Sequence, residues 1–175
     1  MQELLKLSKI DIAKREVDFS IRSFFSSADP ISIHVVAASA QQILRDVCGT
    51  RKIRGFFENL KDIIKPEKLD EVLTILKKPY NFMKHADRDP EESINFYPTA
   101  NQYVIWECIE MYAATGRQVS SLMVAFRGWF YASHPNFLML KEDQIKYSHI
   151  ANETNLNDLP YFLELAEMLE THSIE

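Results

Sequence analysis

The sequence predicts an all-α protein, a helical bundle in which residues 1–175 form a single helical domain. Apolar residues recur three and four positions apart over long stretches, which is the spacing of one buried helix face. Glycine is scarce, with 4 in 175 residues, and few glycines mean few of the positive-φ turns that a many-stranded sheet requires. No internal repeat, low-complexity tract or long linker divides the chain into separate units.

The first two helices are expected to form an antiparallel hairpin. The first should run from Leu4 to Ala28, with an apolar stripe at Ile10, Ala13, Val17, Ile21, Phe24 and Ala28. Asp29 can cap the next helix, and Pro30 suits its first position, so the chain should turn there. The second helix is expected to reach about Val47, with Gly49 as a positive-φ C-cap.

Shorter helices should follow, over residues 56–64, from Pro66 onward, and from Pro79 to about Arg88. Residues 90–98 are predicted to form a loop. Thr99 should cap the helix that follows, and Gly116 should end it. Three more helices complete the bundle: one that ends before His134, a weaker one over residues 141–150, and a last one capped by Asp158 after the polar loop 152–157.

The net charge, the cysteines and the distribution of apolar residues indicate which partners and which cellular location to expect. A net charge of -5 and a pI near 5.6 do not indicate a general nucleic-acid binder. Cys48 and Cys108 form no CxxC pair and are interpreted as buried thiols in a reducing compartment. The first 14 residues have no apolar signal-peptide core, and no apolar run approaches the roughly 20 residues of a membrane span. We therefore expect a soluble cytoplasmic protein with no membrane association.

The segment Pro79 to Pro90, PYNFMKHADRDP, is the part of the chain that looks least like plain scaffold. On a helix, its residues Asn81, His85 and Asp89 share one face, and Lys84 and Arg88 share the neighbouring one. A histidine flanked by carboxylates can act as a general acid or base, or can ligate a metal ion. The simpler alternative is that Asp87, Arg88 and Asp89 end a helix and form local ion pairs, with His85 bonded to a backbone carbonyl.

Two further histidines are candidates with weaker support. His34 lies in the first turn of the second helix and could face the interior near the His85 segment, although such a residue is more often a half-buried packing residue. Arg127 and His134 are seven residues apart and share a face only if their helix extends to His134. The aromatic residues around Trp106 and Trp129 are best explained by core packing or by a dimer face.

Strong catalytic signatures are missing from the sequence. It contains no P-loop, GxGxxG, HExxH or GxSxG motif, and no Cys/His spacing typical of a zinc site. Two segments nevertheless resemble a family of uncharacterised bacterial helical proteins with an NFxKHADRDP-like signature. One lies between Ser20 and Leu44 and includes SFFSSADPISIHVVAASAQQIL, and the other is Pro79 to Pro90.

More distantly, the pattern resembles HEPN-type helical domains. That resemblance implies an up-and-down helical core with short accessory helices, often dimeric, and in many members a ribonuclease of a toxin–antitoxin or defence system. Asn81 and His85 match the polar residue and the histidine of the HEPN motif, whereas Tyr80 stands where the motif has arginine. The cation would then have to come from Lys78, which directly precedes the segment, or from Lys84 or Arg88 within it.

Three functions follow, in the order in which the sequence favours them. The first is a non-catalytic interaction or scaffold protein, a possible homodimer or binder of another protein. The second is a HEPN-like ribonuclease acting on RNA, with the catalytic set His85, Asn81, Lys84 and Arg88. The third is a zinc or manganese site with the ligand set His85, Asp87, Asp89 and His34. None of these requires an organic cofactor.

Overall fold

The computed structural model describes residues 4–51, 78–85, 90–135 and 141–172. All regular structure in these ranges is helical, as predicted. The helices are α1 (Lys9–Phe25), α2 (Pro30–Thr50), α3 (Ala100–Ala114), α4 (Ser121–Ser133), α5 (Lys141–Glu153) and α6 (Leu159–His172). Residues 78–84 form a further helical segment. The helices expected over residues 56–64 and from Pro66 lie outside the described residues.

Helix α1 is shorter at both ends than the sequence pattern predicted. It begins after a capping box in which the Asp11 N–H donates to Ser8 Oγ at 3.2 Å and the Ser8 N–H donates to Asp11 Oδ2 at 3.0 Å. It ends at Phe25 because Ser27 takes a left-handed conformation with φ 53°, which turns the chain toward α2. Leu4 and Ala28, the predicted ends, therefore lie outside the helix, and both are exposed.

Helix α2 starts where it was predicted and ends later. Asp29 caps it by accepting a hydrogen bond from the Ser32 N–H at 2.7 Å, and Pro30 occupies the first helical turn. The prediction that Gly49 is a positive-φ C-cap is wrong, because the helix continues through this glycine to Thr50. Among the described residues, Ser27 and Gly116 have positive φ. Helical bonding persists because the Arg51 N–H still reaches the carbonyl of Val47 at 3.2 Å.

The later helices confirm most of the expected boundaries. Helix α3 ends just before Gly116, whose φ of 77° stops it, and α4 ends just before His134. Thr99 was expected to cap α3 and does not, because its own backbone is already helical and its side chain makes no cap bond. The loop expected from Asn152 begins at Thr154 instead, since α5 continues to Glu153.

Helix α1 is at the centre of the bundle and packs against α2, α3, α4 and α6. The core between these helices is rich in aromatic residues, as the predicted packing role requires. Phe25 lies at its centre, with the rings of Phe126, Trp129 and Phe162 at centroid distances of 5.6, 6.0 and 5.5 Å. Within the described part of the chain, no helix is long and apolar enough to cross a membrane.

Candidate functional site

Of the candidate segment Pro79 to Pro90, the structure describes residues 79–85 and Pro90. The His85 N–H donates to the Asn81 carbonyl at 3.2 Å, which is a helical bond, so these two residues share one side of the segment as predicted. Asn81 is exposed and His85 is half-buried. Lys84 is also exposed, and its Nζ lies 5.7 Å from the centre of the Tyr80 ring, a cation–π distance. The other predicted members, Asp87, Arg88 and Asp89, lie outside the described residues.

His34 is completely buried, with 0% of its surface exposed, rather than half-buried. Its Nδ1 lies 2.9 Å from Oδ1 of Asn101, and the Asn101 amide Nδ2 donates to the Pro30 carbonyl at 2.8 Å. Because the amide of Asn101 is already donating, its oxygen must accept, so His34 carries its proton on Nδ1. Nε2 then holds a lone pair, and among the residues that the structure describes this buried atom has no hydrogen-bond partner.

The protonation state of His34 follows from this environment. Burial lowers the pKa of the imidazole, and the hydrogen bond to Asn101 opposes this only in part. The Phe96 ring meets the imidazole edge-on at 5.1 Å. A neutral histidine oriented through one ring nitrogen, with the other left as a lone pair, is the form in which histidine ligates metals. Burial behind Phe96 and Asn101 also suits a residue that only packs.

The predicted metal set is only partly described. His34 and His85 lie in the described ranges, and Asp87 and Asp89 do not. Among the residues that the structure describes, no group of three or more histidine, cysteine, aspartate or glutamate side chains is close enough to hold a metal ion.

Arg127 and His134 have separate partners, so they do not form a joint site. Helix α4 ends at Ser133, and His134 has left the helical conformation with φ -133°. Its Nε2 lies 2.9 Å from Oε1 of Gln102, and burial lowers its pKa. The Arg127 guanidinium lies 3.9 Å from the carboxylate of Glu110.

A buried polar cluster between α2 and α3 was not predicted from the sequence. Glu107 is fully buried and accepts hydrogen bonds from the Gln41 amide and, at 3.2 Å, from the Arg45 guanidinium. The signal that could have revealed it is an acidic residue inside the otherwise apolar stretch of α3, YVIWECI, because a buried carboxylate needs partners. Arg45 is part-exposed, so the cluster links the core to the surface.

The cysteines are the buried thiols that the sequence predicted. Cys48 and Cys108 are both buried, and their thiols donate to the carbonyls of Met111 and Ala37 at 3.7 and 3.6 Å. Burial raises the pKa of Cys108 well above its ordinary value, and the nearby Glu107 carboxylate raises it further. A thiol held protonated in this way is a poor nucleophile.

A cavity of about 610 Å³ lies where α1 and α6 meet the start of α4. Lys14 and Asp18 form an ion pair on its wall at 2.6 Å, and Ser120 Oγ donates to the other Asp18 oxygen at 2.6 Å. Arg22 lines the same wall, while Glu167 and Glu170 line the side that belongs to α6. Both signs of charge are therefore present, and the lining does not select an anion or a cation.

The outer surface of the α1–α2 hairpin carries large apolar side chains in contact with solvent. Phe19 of α1 is 56% exposed, and Val35 and Ile31 of α2 are each 40% exposed. The Ser39 hydroxyl donates to Glu16 Oε1 at 3.1 Å. This contact indicates which residues of the two antiparallel helices lie opposite each other. Three residues further along α1, Phe19 is then level with Val36, the residue next to Val35. We call the face with Phe19, Ile31 and Val35 the hairpin surface.

Comparisons with protein-family models, with curated proteins and with solved structures found no match to this chain. The resemblance to the NFxKHADRDP-like family and to HEPN-type domains therefore stays a hypothesis that rests on the residues quoted for it.

Proposed function

We propose that this chain is a helical interaction module that acts by binding a partner protein at the hairpin surface. The observation that carries the proposal is the exposure of Phe19 on α1 together with Ile31 and Val35 on α2. Full burial of a side chain of this kind contributes about 1.5–3 kcal/mol, and Phe19, Ile31 and Val35 forgo part of that by staying 40–56% exposed, so an apolar cluster on a helical surface favours a binding role. An interaction or scaffold role was also the function that the sequence favoured first.

The charges around the hairpin surface support the same role. Arg15 is exposed on α1, and Asp29 and Asp46 are exposed on α2. An apolar centre with a charged rim is the usual composition of a protein–protein contact, in which the centre supplies affinity and the rim supplies orientation.

Photo-crosslinking tests the proposal. A photoreactive phenylalanine analogue, p-benzoyl-phenylalanine, is placed at Phe19 in cells of the species that encodes the protein. A matched control carries it at Ile145, which is 62% exposed on α5, a helix that packs against α4. We expect a discrete protein adduct from position 19 and none from position 145. No adduct from position 19, or the same adducts from both positions, would contradict an interaction role for this surface.

A ribonuclease is the second candidate, because a helical bond joins His85, which is half-buried, to Asn81, which is exposed, on one side of their segment. In this function His85 is the general acid or base, Asn81 orients the phosphate, and Lys84 or Arg88 stabilises charge. The test is cleavage of total cellular RNA by the purified protein, by His85→Ala and by His149→Ala, an exposed histidine on α5 that serves as the control.

Each outcome of the RNA assay has a clear meaning. Cleavage that survives EDTA, disappears in His85→Ala and persists in His149→Ala would support the ribonuclease. Equal cleavage by all three proteins would indicate a contaminant, and no cleavage by any of them would leave the interaction module as the better proposal.

A further inference from the structure

We propose that the cavity between α1, α4 and α6 binds a short apolar peptide that has a free amino group at one end and a free carboxylate at the other. The inference goes beyond the proposed function and depends on other residues, because Phe19, Ile31 and Val35 do not line this cavity. It rests on three properties of the cavity: the unpaired charges on its two sides, the apolar surface between them and its size.

The first property begins with the α1 side of the cavity, where Arg22 is the cation that a ligand can use. Lys14 pairs with one oxygen of Asp18 at 2.6 Å, and Ser120 Oγ donates to the other at 2.6 Å, so the carboxylate of Asp18 is already satisfied. Arg22 is exposed, and its guanidinium forms no ion pair with any residue that the structure describes. A guanidinium in this position can bind a carboxylate through two parallel hydrogen bonds.

The α6 side of the cavity carries the opposite charge. Glu167 and Glu170 are three residues apart, so they share one face of α6, and both line the cavity. Both are exposed, and within the described ranges neither carboxylate forms an ion pair with Arg22 or with another cation. An ammonium group can therefore bind here in place of water.

Together the two sides select a ligand with both signs of charge. A ligand that is only anionic would be repelled by Glu167 and Glu170, and one that is only cationic would be repelled by Arg22. A ligand with its carboxylate at Arg22 and its ammonium group at the glutamates complements both sides.

The second property is that the lining between these charges is apolar. Leu122 and Ala166 are buried, with 6% and 3% of their surfaces exposed, and Val119 and Leu169 are half-buried beside them. A ligand with an apolar middle covers this surface and removes it from water. A free amino acid fits less well, because its two charges are on neighbouring atoms and cannot reach opposite sides.

The third property is size. The volume of about 610 Å³ lies within the roughly 300–1,000 Å³ that is usual for small-ligand sites. Helices α1 and α6 pack against each other, and the axes of packed helices are about 8–10 Å apart. Because an extended chain advances about 3.3–3.6 Å per residue, a peptide of about two to three residues spans the distance between the two sides.

Isothermal titration calorimetry with leucyl-leucine and leucyl-leucyl-leucine tests the proposal. Each peptide is used with free ends, with its amino group acetylated and with its carboxylate amidated. We expect the free form to bind and either modification to raise the dissociation constant tenfold or more, because each removes one charge. No binding of either free peptide, equal binding of the free and modified forms, or tighter binding of free leucine would overturn the inference.

Substitutions on the two sides of the cavity assign each charge to its partner. Arg22→Gln should weaken the free peptide tenfold or more and affect the amidated peptide little, since that form has no carboxylate to lose. The double variant Glu167→Gln with Glu170→Gln should do the same to the free peptide and affect the acetylated peptide little. All three residues are exposed, so the variants should fold, and circular dichroism checks this.

The matched controls are Lys141→Gln on α5 and Glu164→Gln on α6, two exposed charges that do not line the cavity. Both should bind the free peptides as the wild-type chain does. Equal weakening in the controls and in the cavity variants would show a general effect of net charge and would overturn the inference. The same conclusion would follow if Arg22→Gln weakened the free and amidated peptides equally.

Discussion

The Nδ1 of His34 lies 2.9 Å from Oδ1 of Asn101, and this contact joins the start of α2 to the start of α3 in a fully buried position. Because the imidazole is neutral there, adding a proton at Nε2 would place a charge where the described part of the chain offers no acceptor. The contact therefore makes the junction of the two helices sensitive to acid.

We predict that His34 makes the folded protein lose stability as the pH falls below about 6.5. Burial lowers the folded-state pKa below the ordinary value of 6.5, so on acidification the unfolded chain binds a proton before the folded chain does. The free energy of unfolding should thus fall as the pH drops from 6.5 toward the folded-state pKa. Urea unfolding at a series of pH values measures this slope.

The variant His34→Leu isolates the contribution of this residue. It should be less stable at neutral pH, because Asn101 loses its partner, yet it should show a shallower decline in acid. His134 still contributes in the same direction, since burial lowers its pKa as well. Glu16 and Glu110, whose pKa values burial raises, act in the opposite direction in both proteins. The exposed His149→Gln is the control, and a slope unchanged in His34→Leu would contradict the prediction.

Glu107→Ala should destabilise the fold by about 2–3 kcal/mol. The substitution removes the acceptor that Gln41 and Arg45 share and leaves a cavity in the core. We place the cost below that of a fully buried pair because Arg45 is part-exposed. Denaturant unfolding measures it, with Glu110→Ala on the same helix as the half-buried control, for which a smaller loss is expected. A loss below about 0.5 kcal/mol for Glu107→Ala would show that the cluster does not stabilise the fold.

Ser8→Ala should cost about 1 kcal/mol, because it removes one half of the capping box at the start of α1. Thr99→Ala is the matched control, since Thr99 occupies the corresponding position of α3 without a side-chain cap bond. Its effect should stay within about 0.5 kcal/mol. Equal losses in the two variants, compared by thermal unfolding, would contradict the assignment of the caps.

Phe25→Ala should cost about 3–5 kcal/mol, whereas Phe19→Ala should cost less than about 1 kcal/mol in the monomer. Phe25 is fully buried among Phe126, Trp129 and Phe162, while Phe19 projects from the same helix into solvent. Urea unfolding of dilute protein makes the comparison without a contribution from self-association. A large loss in Phe19→Ala under these conditions would mean that this residue belongs to the core and not to a binding surface.

Much of the helical framework could be predicted from local patterns. The stripe of Ala13, Val17 and Ile21 is buried as expected. Apolar residues that recur once per helical turn share one face, and that face is removed from water when it packs against the core. Asp29 caps α2 and Gly116 stops α3, since both effects act within a few residues of the backbone. Gly49 and Thr99 were misassigned because a glycine can continue a helix, and because a threonine whose backbone is already helical cannot cap one.

The candidate site was harder to predict for a physical reason. Asn81 and His85 could be placed together because a helical turn determines their spacing. The environment of His34 could not, because it depends on Asn101, 67 residues away, and on Phe96. The exposure of Phe19 was equally hidden, since the sequence shows a phenylalanine near the apolar stripe and does not show what covers it.

The sequence by itself determined that this protein is helical, that α2 begins after Asp29 and α3 stops before Gly116, and that the stripe of Ala13, Val17 and Ile21 turns inward. These properties depend on dihedral preferences, caps and periodicity that act over about four residues. Tertiary structure alone decided that Glu107 meets Gln41 and Arg45, that His34 is buried as a neutral base, and that Phe19 and Val35 remain exposed. Such pairings join residues that packing brings together from distant parts of the chain, so no local pattern specifies them.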